Sequence, residues 1–389
     1  MGLFKCWIDR QKRTVTGTFD GNGAEITADC ILFAETDGAV IKNVNINSHV
    51  YNEKSAGIVQ VANNTSIDNC DIYISLNYGI CGGIAAEAYN STITNCCVTA
   101  TGYIYEFGGI VYSTSGNTVI ANCVLKNSGV NVTSLYGGIV GEACGKTEIY
   151  NCANSDIFNS RRSGGIVSYA EMSGLTLENN MYYEENDCYD VYYDIEKDEC
   201  ISQMVDKDST VSEQDAEGLY IPAKLNEYVR ANPNQVKGTT LKTWGVDYNN
   251  EPCFANNKNP EFYLIKQSGV KADTLINGNY ARGALPGYKV TVCGIADGAV
   301  VAVTDVNGND IKLTTNENGY EFTMPKCDVT VSAVLDTGIS ETTVIDGKTY
   351  VVVKNASDFV KAVKSIADGN KRIKRIYSRE YKSYGRGIG

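Results

Sequence analysis

Two short phrases recur through the first half of the chain at one spacing, and few folds accommodate a repeat of that length. The first is (Ala/Gly)-Gly-Ile, at Ala56-Gly57-Ile58, Gly82-Gly83-Ile84, Gly108-Gly109-Ile110, Gly137-Gly138-Ile139 and Gly164-Gly165-Ile166. Its second glycine advances by 26, 26, 29 and 27 residues. The second is Ile-x-Asn-Cys, ending at Cys70, Cys96, Cys123 and Cys152 with steps of 26, 27 and 29. Flanking units keep the pattern up to the cysteine, at Ile41-Lys42-Asn43-Val44 and Leu177-Glu178-Asn179-Asn180. Inside a unit, Asn69, Asp71 and Tyr73 alternate with Cys70, Ile72 and Ile74. That is the period of a strand, with no helical stripe. A unit of two or three short strands cannot bury its own apolar face, so it must stack on its neighbours as a parallel β-solenoid.

Stacking turns each repeated position into a column with about 4.8 Å between coils. Asn43, Asn69, Asn95, Asn122, Asn151 and Asn179 form one such column, with side-chain amides able to hydrogen-bond along it. Cys70, Cys96, Cys123 and Cys152 form the next. Four aligned thiols suggest either a metal or redox array or a ladder of small buried side chains. The second is expected, because parallel neighbours sit slightly too far apart for relaxed disulfides and no Cys-x-x-Cys pair or adjacent histidine is present. The glycine pairs lack the strand–loop–helix context of a phosphate cradle and are expected at corners where coils approach closely.

Those phrases, headed by Gly17-Thr18-Phe19-Asp20-Gly21-Asn22-Gly23, resemble bacterial GLUG-motif proteins over roughly residues 15 to 265. The resemblance implies an exported, adhesin-like surface protein. Together with the twist preference of strands it implies a right-handed parallel β-helix of about six or seven coils; some relatives carry the repeats beside a peptidase domain, whose catalytic machinery is not recognisable in this sequence. It also marks Ala223-Lys224-Leu225-Asn226 and Trp244-Gly245-Val246-Asp247 as parts of a closing segment. Pro222, Ala223, Leu225, Tyr228 and Val229 predict a short helix with one apolar face, ended by Ala231-Asn232-Pro233. Trp244 and Phe254 are expected to plug the end of the core, and the acidic, Tyr-rich run from Tyr182 to Tyr193 to be a solvated connection rather than a sugar-stacking surface.

Beyond this the period changes. Strands are expected at 287–293, 299–305, 311–315, 320–324 and 329–335, with turns at Ala296-Asp297-Gly298, Val306-Asn307-Gly308-Asn309 and Asn316-Glu317-Asn318-Gly319. The string from Gly319 to Val331 resembles small immunoglobulin-like, internalin-type bacterial repeats, which implies a spacer. Residues 350–354 read as a strand and Ser357 as the N-cap of a helix, followed by a tail with seven Lys/Arg and one acidic residue. The expected division is a β-helix over 15–184, a capping segment over 185–270, an antiparallel β-sandwich-like module over 275–336, and the start of a further unit over 340–389. The truncated look of both ends suggests a piece of a longer chain.

Composition narrows function more than it assigns it. The 389 residues carry 34 Lys+Arg against 46 Asp+Glu, a net charge of -12 that disfavours nucleic acid. No apolar run approaches the roughly 20 residues of a membrane helix. The single histidine, His49, has no aligned nucleophile, reads as a solvated turn residue, and excludes chemistry that needs several histidines. Glu87 and Glu142 share a column two coils apart, with Ser113 between them, roughly 10 Å along the axis and slightly beyond an inverting pair. Tyr78, Tyr103 and Tyr136 precede successive glycine pairs by unequal distances and form no clean column. No catalytic, cofactor or metal-binding residues are assigned. The expectation is a non-catalytic extracellular or cell-surface protein, adhesin-like or a structural stalk, with glycans or host and matrix proteins as partners. The alternative is a β-helix lyase or glycoside hydrolase acting on acidic polysaccharide.

Overall fold

A computed structural model describes residues 14–50, 53–126, 129–155, 162–183, 189–206, 209–211, 220–249, 251–269, 271–295, 299–335, 342–345, 348–353 and 376–378. The chain divides into two compact units, Met1–Phe262 and Tyr263–Gly389. The first is a parallel β-solenoid of about six turns with a lateral segment packed on it. Strands of successive coils pair in parallel: Val59–Asn63 with Ala85–Tyr89, then Val111–Ser115, Val140–Ala143 and Arg162–Ala170. The interior is filled by columns of like residues, including Ile41, Ile67, Ile93, Ile120, Ile149 and Leu177 in direct register. Ile46, Ile72, Val98 and Leu125 form a second column.

The asparagine column sits at the corner between two sheets. All six residues adopt left-handed backbone, with φ between 52° and 56°. Among non-glycine residues, asparagine tolerates this conformation best. Side-chain amides then link the coils: Asn69 Nδ2 donates to Asn43 Oδ1 (2.5 Å), Asn122 to Asn95 (2.8 Å), Asn151 to Asn122 (2.7 Å) and Asn179 to Asn151 (2.7 Å). The chain of bonds is interrupted once, between Asn69 and Asn95, where Asn95 donates instead to Asp68 Oδ1 (2.7 Å) and Lys242 Nζ bonds Asn69 Oδ1.

The cysteines follow the same logic. Each thiol of the column donates to the carbonyl two residues before it, at 3.0 Å for Cys96 to Thr94 and 3.3–3.4 Å for the other three. Burial pushes the Cys96 and Cys123 thiols well above their ordinary range, and for Cys70 the hydrogen bond to Cys96 comes first and burial second. Buried and donating to nearby carbonyls, these thiols pack as small core side chains. The glycine pairs are explained by close approach, not by unusual φ. A Cβ on Gly82 would lie 1.8 Å from the Ala85 carbonyl oxygen, and one on Gly83 would lie 2.1 Å from that of Gly109 in the next coil.

Three expectations for this unit change. The solenoid does not stop at 184: Tyr189–Asp194 pairs in parallel with Arg162–Ala170, and Thr210–Val211 with Met181–Tyr183. The run ending at Tyr193 is therefore partly a sheet strand, not a solvated connection. This last turn is held by buried acids, with Asp190 Oδ2 accepting from the amides of Val205 (2.6 Å) and Asp206 (2.7 Å) and Asp206 Oδ2 accepting from Asn180 N (2.8 Å). His49 lies in the strand Asn45–Val50, opposite Ser75, not in a turn.

The third change concerns the closing segment. Its helix, Tyr220–Ala231, forms as expected and buries Ile221, Leu225, Tyr228 and Val229. It packs on the side of the solenoid rather than over its end. Trp244 lies in a cluster with Cys97, Ala121, Val124, Tyr150, Ala153 and Met181, which face outward from several coils. The segment also clamps the asparagine corner: Asn95 donates to the Thr240 carbonyl (3.1 Å), Lys242 N donates to Asn95 Oδ1 (3.0 Å), and Trp244 Nε1 donates to Asn122 Oδ1 (2.7 Å). Lys126 Nζ and Asp247 Oδ2 pair at 2.8 Å beside it.

The second unit is a β-sandwich-like module. One sheet runs in the order Gly283–Ala284, Tyr263–Gly269, Val329–Leu335, Ala299–Asp305. The other runs Asn279–Tyr280, Asp273–Ile276, Lys289–Cys293, Gly319–Thr323, Thr314–Asn316. Ile265, Val290, Val292, Val303, Phe322 and Val331 belong to its core. The module begins before the expected residue 275, because Tyr263–Gly269 is one of its strands. It is also not wholly antiparallel, since that strand pairs in parallel with Val329–Leu335. Strand Lys348–Val353 pairs with Thr342–Ile345 and Ile376–Ser378 in a small separate sheet. The turn Ala296-Asp297-Gly298, the helix begun at Ser357 and the basic tail, apart from strand Ile376–Ser378, fall outside the described residues.

Two stability predictions follow from the coil contacts. Asn122 takes part in four side-chain hydrogen bonds. Asn122→Gly keeps the left-handed corner but loses those bonds, costing about 3 kcal/mol, and Asn122→Ala adds about 1 kcal/mol of backbone strain. Urea midpoints should fall in the order wild type, Gly, Ala. Equal midpoints for the two variants would remove the corner from the explanation. Burial, with Asp190 adding to it, raises the Asp206 carboxyl to about 6. Folded protein thus keeps a proton that the unfolded chain releases, and stability drops as pH rises from about 4 to about 6, by about 2–3 kcal/mol. Asp206→Asn should flatten that slope and raise the melting temperature at neutral pH; an unchanged slope would contradict the assignment.

Candidate functional site: the carboxylate and tyrosine face

Outward positions on one sheet form a seven-rung column: Glu35, Val61, Glu87, Ser113, Glu142, Tyr169 and Tyr193, each in direct register with the next. The expected alignment of Glu87 and Glu142 across Ser113 is present. What the repeat alone did not reveal is the company they keep. The strand preceding each glycine pair supplies a neighbouring column, Lys54, Ile80, Glu106, Leu135 and Arg162. Lys54 Nζ pairs with Glu87 Oε1 and lies 5.8 Å from the centre of the Tyr112 ring.

Tyr112 occupies the middle of this group. Its hydroxyl donates to Glu106 Oε2 at 2.6 Å. Room for the ring comes from the next coil, where a Cβ on Gly141 would lie 2.9 Å from Tyr112 Cδ2. Burial pushes the Glu142 carboxyl up from the glutamate range, the Tyr112 hydroxyl pulls it back, Glu106 adds to the rise and the Lys54 charge opposes it. Burial and the same carboxylates push the Tyr112 phenol up strongly.

Further along the column, three tyrosines gather. Ring centres of Tyr169 and Tyr193 are 4.9 Å apart, those of Tyr169 and Tyr192 6.0 Å, and those of Tyr192 and Tyr193 6.3 Å in a stacked arrangement. The Tyr193 hydroxyl bonds to Asp198, which pushes its phenol up to about 12. Tyr89, two residues from Glu87 on the same strand, is 46% exposed and adds a fourth aromatic to this face. Of the tyrosines singled out by spacing, Tyr136 is fully buried against Phe107, so it is a core residue. Tyr78 and Tyr103 are exposed at a different corner, where Tyr78 N donates to the Tyr103 carbonyl.

The arrangement offers aromatic faces, carboxylate acceptors and one paired lysine along a straight ladder. Such a surface can stack apolar ring faces and accept hydrogen bonds from a ligand. Among the described residues no helix is long and apolar enough to cross a membrane. Compared with known proteins, the chain matches no family model, no curated protein and no solved structure.

The electrostatics give a test of the geometry. Tyr112→Phe removes the hydroxyl that favours the ionised carboxylate at Glu142. The deficit should be present above the carboxylate range, about 1 kcal/mol near pH 7.5, and should fade as Glu142 protonates toward pH 4. Thermal melts across that range would show it. A deficit independent of pH would mean that the ring, not the hydroxyl, matters.

Proposed function

We propose that this chain is a non-catalytic, adhesin-like protein of the cell exterior that binds glycans through the carboxylate and tyrosine face. The observation that carries the reading is the ring cluster of Tyr169, Tyr192 and Tyr193, whose Tyr169 and Tyr193 continue the column that holds Glu87 and, two rungs on, Glu142. Sugar rings stack their C–H faces on tyrosine while their hydroxyls reach carboxylates. The rungs advance by about 4.8 Å, comparable with the advance of one hexose in an extended β-linked chain, so a polysaccharide lying along the axis meets equivalent positions repeatedly. The resemblance to GLUG-motif surface proteins supports an exported location. So does the disulfide at Cys30, a bond favoured in oxidising compartments.

A glycan and matrix-protein array tests this reading. The wild-type chain should be retained by a subset of linear polysaccharides, and Tyr169→Ala/Tyr193→Ala should lose at least about tenfold in affinity, the scale of one lost stacking contact. Silence across the array would leave a structural stalk. Release of reducing ends or unsaturated uronides would replace binding with catalysis.

A further inference from the structure

Left-handed backbone outside glycine is confined, among the described residues, to asparagine and aspartate, with one exception. Tyr78 has φ 70°, an unfavourable conformation for a side chain of its bulk. Packing does not compensate, because Tyr78 is 75% exposed. Two more exposed tyrosines stand beside it, Tyr103 at 69% and Tyr105 at 50%. Tyr78 N donates to the Tyr103 carbonyl and Tyr105 N to that of Gly79, so the three lie on neighbouring coils at one corner. Tyr103 is in direct register with Asn77 on one side and Asn131 on the other, and both amides are exposed. Among the described residues, none of these five side chains has a hydrogen-bond partner.

We infer that this corner is a second binding site, separate from the carboxylate and tyrosine face, and that its ligand is an uncharged glycan. Strain held at an exposed residue points to a contact made outside the fold. The contact on offer is mixed: three aromatic rings for stacking and, about 4.8 Å to either side of Tyr103, amides that both donate and accept. A sugar presents the matching combination, an apolar C–H face edged by hydroxyls, and the roughly 10 Å from Asn77 to Asn131 accommodates about two pyranose rings. Leu76, Ile104 and Val130, which alternate with these residues, are buried, so a lipid or an apolar peptide gains only the rings. Nothing here pairs with a charged sugar either. Residues 75–79, 101–105 and 129–134 contain no Asp, Glu, Lys or Arg, and Glu106, next in the chain, is taken up by Tyr112.

Calorimetry on the full chain tests this, with neutral hexasaccharides of glucose, mannose and galactose as probes, hexagalacturonate as the charged control and phosphatidylcholine vesicles as the apolar one. The same titrations on Tyr169→Ala/Tyr193→Ala, which lacks the stacking residues of the first face, isolate the corner. At least one neutral hexasaccharide should bind both proteins, with little change in affinity as salt rises. Tyr103→Ala should weaken that binding about tenfold or more, the scale of one stacking contact. Tyr78→Asn gives the sharper readout, because it puts a residue suited to the left-handed corner in place of the strained one: the melting temperature should rise while affinity falls. A purely structural role would leave affinity where it was. Neutral hexasaccharides that bind wild type but not Tyr169→Ala/Tyr193→Ala, or that bind undiminished to Tyr78→Asn and Tyr103→Ala, overturn the second site and leave the first face standing. Binding of hexagalacturonate or vesicles alone to Tyr169→Ala/Tyr193→Ala also overturns it. Silence of wild type toward every probe overturns both sites.

Discussion

One backbone conformation, repeated six times, sets the geometry of the solenoid. At each coil the chain turns a corner through a left-handed residue, and asparagine fills that role from Asn43 to Asn179. The side chain that makes the corner tolerable is also the one that bonds to the coil above or below. Local conformation and inter-coil register are therefore secured by the same residue. The buried isoleucine columns supply most of the apolar burial, but they would pack nearly as well after a small slip along a strand. The amide ladder would not, because hydrogen bonds at 2.5–2.8 Å are lost with small displacements.

The lateral segment depends on that corner. Thr240, Lys242 and Trp244 bond to the outer side of the asparagine column, so the clamp fits only when the coils are in register. In turn, Trp244 and the helix cover outward apolar residues such as Val124 and Met181. The carboxylate and tyrosine face lies on another sheet of the same coils. Its rungs inherit their spacing from the ladder, so the placement of Glu87, Glu142, Tyr169 and Tyr193 follows from the corner as well.

Much of this was legible before any coordinates. The period, the strand alternation and both the asparagine and cysteine columns follow from repetition, because a stacked repeat converts sequence position into spatial position. The same reasoning aligned Glu87, Ser113 and Glu142. It stopped short of Lys54 and Glu106: both lie three residues before a second glycine, as do Ile80, Leu135 and Arg162, but the residue types there share no pattern that marks a column. Tyr112 was missed because its role depends on Gly141 in the next coil leaving space for the ring. Tyr193 was read as part of a solvated connection because the last turn carries neither repeat phrase. The lateral packing of Trp244 left one overlooked signal: the column Asp71, Cys97, Val124, Ala153, Met181 changes from polar to apolar along the solenoid although it faces outward. An end cap and a side seam both need an apolar helix face, and only that column distinguishes them.

The central claim is that the asparagine side chains are structural bonds rather than surface groups. Hydrogen exchange of the side-chain amides, resolved by NMR, measures this directly. The account predicts that the NH2 groups of Asn95, Asn122 and Asn151 exchange only on the timescale of global unfolding, while that of Asn307, in an exposed turn, exchanges at once. Rapid exchange at all four residues would contradict it.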